Sequence, residues 1–413
     1  MNNIKQHTCS NGLQVITEFI PNVKTVALHW GIRAGVAINV HDGESVVLAE
    51  LIQRGVLGFD AKQHNDALDN IGAKRHISCG VEFMHVSSVL LGNRLFEALP
   101  LLGAYLLSPT LPEGDLPACK RLCLQSISSI SDNPSHLGAI ELNAHHLPAP
   151  FNRSAYGTES CIDNVTIEQL RDVYKQLFIP SDSIVVIAGD VDHDKSVSEI
   201  EQLISNWTGS NTRTIATTPS DRGGHWVEQD SSQVHLSFAF DGPNATDEHS
   251  ILESVAISVF GGASSGRLFT EVRQRRSLCY SVSAQYAPAK ERSTVRIHAG
   301  TTPQRAEETV QVCMEQLSEL RRGITKEEFT RTIQRMKSRT VMHGESTTAR
   351  ANALWGDQYA LGKTRSLVDR LQEIEAVKFD EVNDWLAKRE YGDLTFVAVG
   401  PEEIKLGQDS LQI

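Results

Sequence analysis

Two short apolar runs, each opened by an aspartate and closed by a glycine, constrain this chain most. They are Asp182-Ser183-Ile184-Val185-Val186-Ile187-Ala188-Gly189 and Asp393-Leu394-Thr395-Phe396-Val397-Ala398-Val399-Gly400. Runs of this length, rich in β-branched residues, read as buried strands. Each follows a late helical stretch, and each half of the chain opens on a strand followed by a helix. The order of elements therefore repeats, which predicts a duplicated α+β domain. Two units are too few for a solenoid.

A chain of 413 residues is too long for one ordinary core and fits two domains. Thr208–Arg222, polar and rich in Ser and Thr, is the expected linker. The division is then 1–207, linker 208–222 and 223–413. In the first half, strands are expected at Leu13–Glu18, Lys24–Ala34, His76–Cys79, Met84–Leu91 and Asp182–Ala188. Helices are expected at Gly43–Arg54, Asn65–Ile71, Arg94–Leu107, Asp115–Ser131, Pro134–His146, Ile167–Leu177 and Lys195–Trp207. Leu147–Glu159 reads as an irregular loop. The second half repeats strand, helix and paired strands, then runs through five helices from Pro303 to Lys388.

Composition narrows the function classes. Net charge is −12 and no Lys/Arg-rich run stands out, so nucleic acid is not an expected partner. No apolar run reaches the roughly 18 residues of a membrane-spanning helix. Met1–Thr8 carries one Lys and no apolar stretch, and a strand pattern begins soon after, so no signal or transit peptide is expected. Seven cysteines, an odd number, read as reduced thiols of a cytoplasmic protein.

Several local patterns together point to a family. In the first half they are Asn11-Gly12-Leu13, Asp132-Asn133-Pro134, Tyr156-Gly157-Thr158-Glu159, Glu168-Gln169-Leu170 leading to Tyr174, and Ala188-Gly189-Asp190-Val191. In the second half, Gly261-Gly262-Ala263-Ser264-Ser265-Gly266-Arg267-Leu268-Phe269 leads into Glu271-Val272-Arg273-Gln274-Arg275-Arg276-Ser277-Leu278-Cys279-Tyr280-Ser281-Val282. These patterns resemble those of pitrilysin-type (insulinase-like, inverted zincin) metallopeptidases, which include the mitochondrial processing peptidase subunits. The resemblance spans nearly the whole chain, and the second-half signature is its most specific part. It implies an α+β fold of two homologous domains, each a mostly antiparallel sheet covered by helices.

In active members the first helix reads H-x-x-E-H: two His bind zinc and the Glu activates water. The matching stretch here is Val47-Leu48-Ala49-Glu50-Leu51. Glu50 keeps the Glu position, while Val47 and Leu51 stand where the His residues would be. A register anchored on Gly55 places Val46, Ala49 and Glu50 there instead, and it also restores no His. The family's third ligand comes from a Glu-Glu pair before the Asp132-Asn133-Pro134 landmark. Gln125 and Ser126 occupy the matching positions. All three ligand positions are lost together, so no metal or cofactor is expected in this chain.

Arg273 and Tyr280 match an Arg and a Tyr that, in the family, contact substrate near the scissile bond. Both are donors suited to a peptide carbonyl or a developing oxyanion. The plain alternative is an Arg paired with a surface carboxylate and a Tyr packed in a strand. Glu141 and His145, one helical turn apart, have metal-binding spacing but read more simply as a solvated face. Cys119 and Cys123, also one turn apart, read as buried small hydrophobes. Gly261–Gly266 lacks the Gly-Lys-Ser/Thr ending of a phosphate loop and reads as a loop beside Arg273 or a plain turn.

The resemblance implies the non-catalytic subunit of a heterodimeric zinc peptidase, like the processing peptidase alpha subunit and bacterial heterodimeric relatives. Such a chain is inactive alone and supplies Arg and Tyr contacts to a homologous partner that bears the zinc. A peptide substrate would add as a strand to a sheet edge. Two other readings stay open: a peptide-binding or scaffold protein without a peptidase partner, and an enzyme with a relocated metal site.

Overall fold

The strands pair into two sheets that share one topology. The structure is a computed structural model that describes residues 3–210 and 214–404. The first half supplies β1 (Ile4–Thr8), β2 (Gln14–Phe19), β3 (Thr25–Ile32), a small hairpin of β4 (Gly55–Val56) and β5 (Phe59–Asp60), β6 (Lys74–Cys79), β7 (Met84–Leu91) and β8 (Ser183–Gly189). The second half supplies β9 (Gly223–Glu228), β10 (Val234–Asp241), β11 (Cys279–Ala287), β12 (Thr294–Thr301) and β13 (Thr395–Gly400).

The two glycine-ended runs are β8 and β13, and they hold equivalent places. β8 runs parallel to β2 and antiparallel to β3. β13 runs parallel to β9 and antiparallel to β10. Antiparallel pairs then extend each sheet, giving β2-β8-β3-β7-β6 and β9-β13-β10-β12-β11, with β1 added to the first. The fold is therefore α+β, with two homologous, mostly antiparallel sheets. β1 and β9 are absent from the sequence reading because both are polar: IKQHT and GGHWVE lack the apolar run that marks a strand.

One face of each sheet packs on its own half's helices. Alternation along β3 sends Val26, Leu28, Trp30 and Ile32 into the first core, with Leu99, Leu102 and Leu170 from helices. Along β10, Leu236, Phe238 and Phe240 enter the second core with Val310 and Leu317.

The other face is covered by an exchanged helix. Helix Thr347–Leu361, from the second half, lays Ala351, Leu354 and Trp355 on Ile16, Ala27, Ile184 and Val186 of the first sheet. Gly31 makes this approach possible, since a Cβ there would lie 2.5 Å from Cζ2 of Trp355. Arg350 of the same helix forms a buried two-bond pair with Glu18 of β2, both at 2.8 Å. Conversely, helix Pro134–His146 of the first half packs Leu142 on Ala239, Val397 and Val399 of the second sheet. Each half keeps its strands and lends one helix to the other.

The chain between the halves is tied down on both sides. Ala149 and Thr218 exchange backbone bonds at 2.9 and 3.0 Å, and Ser220 Oγ donates to the His146 carbonyl. Within the expected linker, 211–213 lie outside the described residues, as do 1–2 and 405–413 of the expected domains.

Candidate functional site

Helix Glu44–Leu51 carries the positions that the sequence reading expects to be degenerate metal positions. Val47 and Leu51 are each 0% exposed and belong to the first core, so their face is turned inward. Val46 and Glu50 lie on the partly open face, and Ala49 is buried. Helix Leu116–Ser128 packs against this helix and turns Cys119 and Cys123 into the same core. Gln125 and Ser126 sit on its exposed side, and Ser126 Oγ donates to the Leu122 carbonyl. The expected third-ligand positions thus do not face Glu50. Cys119 and Cys123 do, close enough for the Glu50 carboxylate to act on both thiols. Helical phase accounts for the difference, since the buried stripe runs through 119 and 123 and leaves 125 and 126 toward solvent.

A catalytic zinc does not fit these residues. Val46, Val47, Ala49 and Leu51 have no donor atom. Burial, together with Glu50, pushes the Cys123 thiol up to about 12, and burial raises Cys119 against the opposing Arg54. Glu50, Cys119 and Cys123 do not bring three ligand atoms within 4.8 Å of one another. Among the described residues, two other groups do bring three ligand atoms within 4.8 Å of one another: His7, Cys9 and Glu201, and His145, Asp221 and His225. His145 also lies 3.9 Å from Glu141, the neighbour one turn away.

Arg273 and Tyr280 stand at the opposite half of the chain, where a helical segment feeds an edge strand. Phe269–Arg275 forms a π-helical turn, a form common at functional sites. Glu271 binds Arg275 at 2.6 Å and Arg276 at 3.0 Å. Arg273 is left over. Its guanidinium lies 4.9 Å from the centre of the Phe269 ring, and it makes no hydrogen bond or ion pair among the described residues. Its charge also reaches Cys279, next to Tyr280: burial pushes that thiol up to about 11, with Arg273 opposing the rise.

Tyr280 is 61% exposed. The β11–β12 pairing runs from Cys279 opposite Thr301 to Ser281 opposite Gly300, so Tyr280 is the extra residue of a β-bulge. A bulge re-aims a side chain and is common beside active sites. The Tyr280 hydroxyl also makes no hydrogen bond among the described residues. β11 is the outermost strand of its sheet, and Ser281, Ser283 and Gln285 are exposed along it. An open strand edge, a free guanidinium and a free phenol can together hold a peptide backbone and its carbonyls.

The loop Gly261–Gly266 fixes this arrangement. A Cβ on Gly261 would lie 2.5 Å from the Ala284 backbone nitrogen, so only glycine lets helix Ser250–Gly261 end against β11. Arg267 then clamps the segment with two bonds to Glu328, at 2.7 and 2.9 Å. Sequence reasoning missed that Glu271 sequesters two of the three arginines. The signal was present, because Glu271 and Arg275 have (i, i+4) spacing. The bulge carries no such sequence signal.

Residues 164–336 match the model of the family described as Peptidase M16 inactive domain. Over 389 residues the chain is 24% identical to the uncharacterized zinc protease YmxG of Bacillus subtilis, covering 92% of this chain and 94% of that one. It is 24% identical to an uncharacterized zinc protease of Streptomyces coelicolor, covering 92% and 85%. The fold matches a crystal structure described as a peptidase M16 inactive domain from Pseudomonas fluorescens, with TM-score 0.88 and 19% identity over 98% of this chain and 99% of that one. A protease from Helicobacter pylori has the same fold, with TM-score 0.87 and 17% identity over 97% of this chain and 100% of that one. The two like sheets thus have the fold of these solved structures, and residues 164–336 are similar to the domain described as Peptidase M16 inactive domain.

Proposed function

We propose that this chain is the non-catalytic subunit of a heterodimeric zinc peptidase and contributes Arg273 and Tyr280 to a site whose zinc sits on a homologous partner. One observation carries the reading. Arg273 and Tyr280 are both uncommitted and exposed at an open strand edge, while the zinc positions of the same chain are filled by apolar side chains. The zinc protease relatives support a peptidase context for the partner. A peptide lying along β11 would bond through its backbone, with Arg273 and Tyr280 donating to a carbonyl near the bond to be cut. Cofactor chemistry then belongs to the partner. Seven free cysteines support a reducing compartment, the cytoplasm.

The experiment is reconstitution. The chain is mixed with the zinc-bearing homologue from the same genome, and peptide turnover is compared with each protein alone. Turnover that depends on the mixture and falls with Arg273→Ala and Tyr280→Phe supports the reading. Peptide binding by the chain with no gain in turnover on mixing would point instead to a peptide-binding scaffold.

A further inference from the structure

We infer that His7, Cys9 and Glu201 form a zinc site that clips strand β1 to helix His193–Leu203. The three ligand atoms already lie within 4.8 Å of one another. Tetrahedral zinc with bonds of 2.0–2.3 Å holds its ligands about 3.3–3.8 Å apart, so shifts of up to about 1 Å complete the set, Cys9 moving in while the His7–Glu201 pair opens from 2.8 Å. The donors are an imidazole, a thiol and a carboxylate, the three ligand types zinc takes.

The scaffold around them is fixed before metal arrives. His7 lies near the end of β1 and Cys9 is the first residue past it, and their ligand atoms lie within 4.8 Å of each other. The turn after Cys9 is closed by backbone bonds from Cys9 to Leu13 and from Gly12 to Cys9, both 2.9 Å. Asn11 Nδ2 donates to the Trp207 carbonyl at 2.9 Å, tying that turn to the end of the helical segment bearing Glu201. At the other end of the helix, His193 bonds Thr17 of β2 at 2.8 Å. Without metal, His7 Nε2 and Glu201 Oε1 satisfy each other at 2.8 Å.

Metal binding replaces that hydrogen bond. The Cys9 thiol gives up its proton, His7 binds in its neutral form, and one proton leaves per zinc bound. Cys9 is 4% exposed, whereas His7 and Glu201 are open to solvent, which leaves a path for the ion and a fourth position for water. The second three-residue group differs in a decisive way. The rings of His145 and His225 stack 3.5 Å apart at 15°, so their planes are nearly parallel. A nitrogen lone pair lies in its ring plane, and one ion cannot sit in two parallel planes.

The test uses the full chain, tag removed and stripped of metal, titrated with Co(II) and then with Zn(II). One equivalent of Co(II) is expected to give cobalt–thiolate charge-transfer absorption, which Zn(II) removes. Cys9→Ser is expected to abolish the absorption, and His7→Gln and Glu201→Gln to weaken binding. Zn(II) raises the melting temperature of the unsubstituted chain alone. Glu50→Gln is expected to leave binding unchanged. No Co(II) binding, absorption that survives Cys9→Ser, or loss of binding in Glu50→Gln would overturn the site. Should Cys9→Ser fail to fold, the two surface variants decide: unchanged affinity in both overturns it.

Discussion

Arg273 rests its guanidinium 4.9 Å from the centre of the Phe269 ring, within the same irregular helical turn. The ring holds the cation without neutralising it. Glu271, the nearest acid in sequence, is occupied by Arg275 and Arg276. A positioned but unpaired guanidinium is what a substrate carbonyl needs, and it separates Arg273 from its two neighbours.

That separation can be measured. In the reconstituted peptidase, Arg273→Ala is expected to lower kcat/KM by about 10²-fold, the scale of losing one donor to a developing oxyanion. Tyr280→Phe removes a single O–H and is expected to cost about tenfold. Arg275→Ala changes little, because Arg275 is committed to Glu271 and largely exposed. Equal losses from Arg273 and Arg275 would show that general charge, not position, matters.

The clamp beneath Arg273 titrates in a defined direction. Burial alone would raise the Glu328 carboxyl, but the Arg267 guanidinium and the Thr325 N–H and hydroxyl outweigh it and hold the carboxyl at about 2. The folded value lies below the ordinary 4.5, so the stabilisation is complete above that value and is lost as pH falls toward the folded one. Glu328→Gln is expected to lower stability by on the order of 2–3 kcal/mol near neutral pH. Urea unfolding across pH should show the gap closing from about pH 5 downward. A gap that widens in acid would contradict the assignment.

Trp355 and Gly31 hold the exchanged helix in place. Trp355→Ala removes the indole from the first sheet and its Nε1 bond to the Ile184 carbonyl, and is expected to cost about 3–5 kcal/mol. Gly31→Ala puts a methyl into the indole ring and is expected to cost about 1–3 kcal/mol. The two losses should not add, since the smaller side chain at 355 makes room for the methyl. A double-variant unfolding cycle measures this, and strict additivity would mean the two do not touch.

Restoring histidines does not restore an enzyme. Val47→His with Leu51→His buries two imidazoles in the first core, at about 1–3 kcal/mol each, while the facing helix still offers no carboxylate. The expected outcome is lower stability and no zinc-dependent turnover. Turnover by this double variant alone would show a third ligand within reach.

Much of the fold was legible because buried strands and amphipathic helices write their period into the sequence. The pairing of Asp182–Gly189 with Asp393–Gly400 as twins foretold β8 and β13 in equivalent sheet positions. That Val47 and Leu51 offer no ligand atom follows from residue type, whereas the roles given to Arg273 and Tyr280 rest on the resemblance. The helix exchange was not. Ser346–Leu361 reads as a helix, but its residue types do not say whose sheet covers it. The bulge at Tyr280 is a matter of register against β12, set by pairing across the chain. His7, Cys9 and Glu201 meet only because a turn and a helix fold together.

The most direct test of the account is peptide turnover by three samples: the chain, the zinc-bearing homologue from the same genome, and their equimolar mixture. The account predicts turnover that requires the mixture and drops sharply when the chain carries Arg273→Ala. Turnover by the isolated chain at the rate of the mixture, persisting in Cys9→Ser, would contradict it, as would a mixture no faster than the homologue alone.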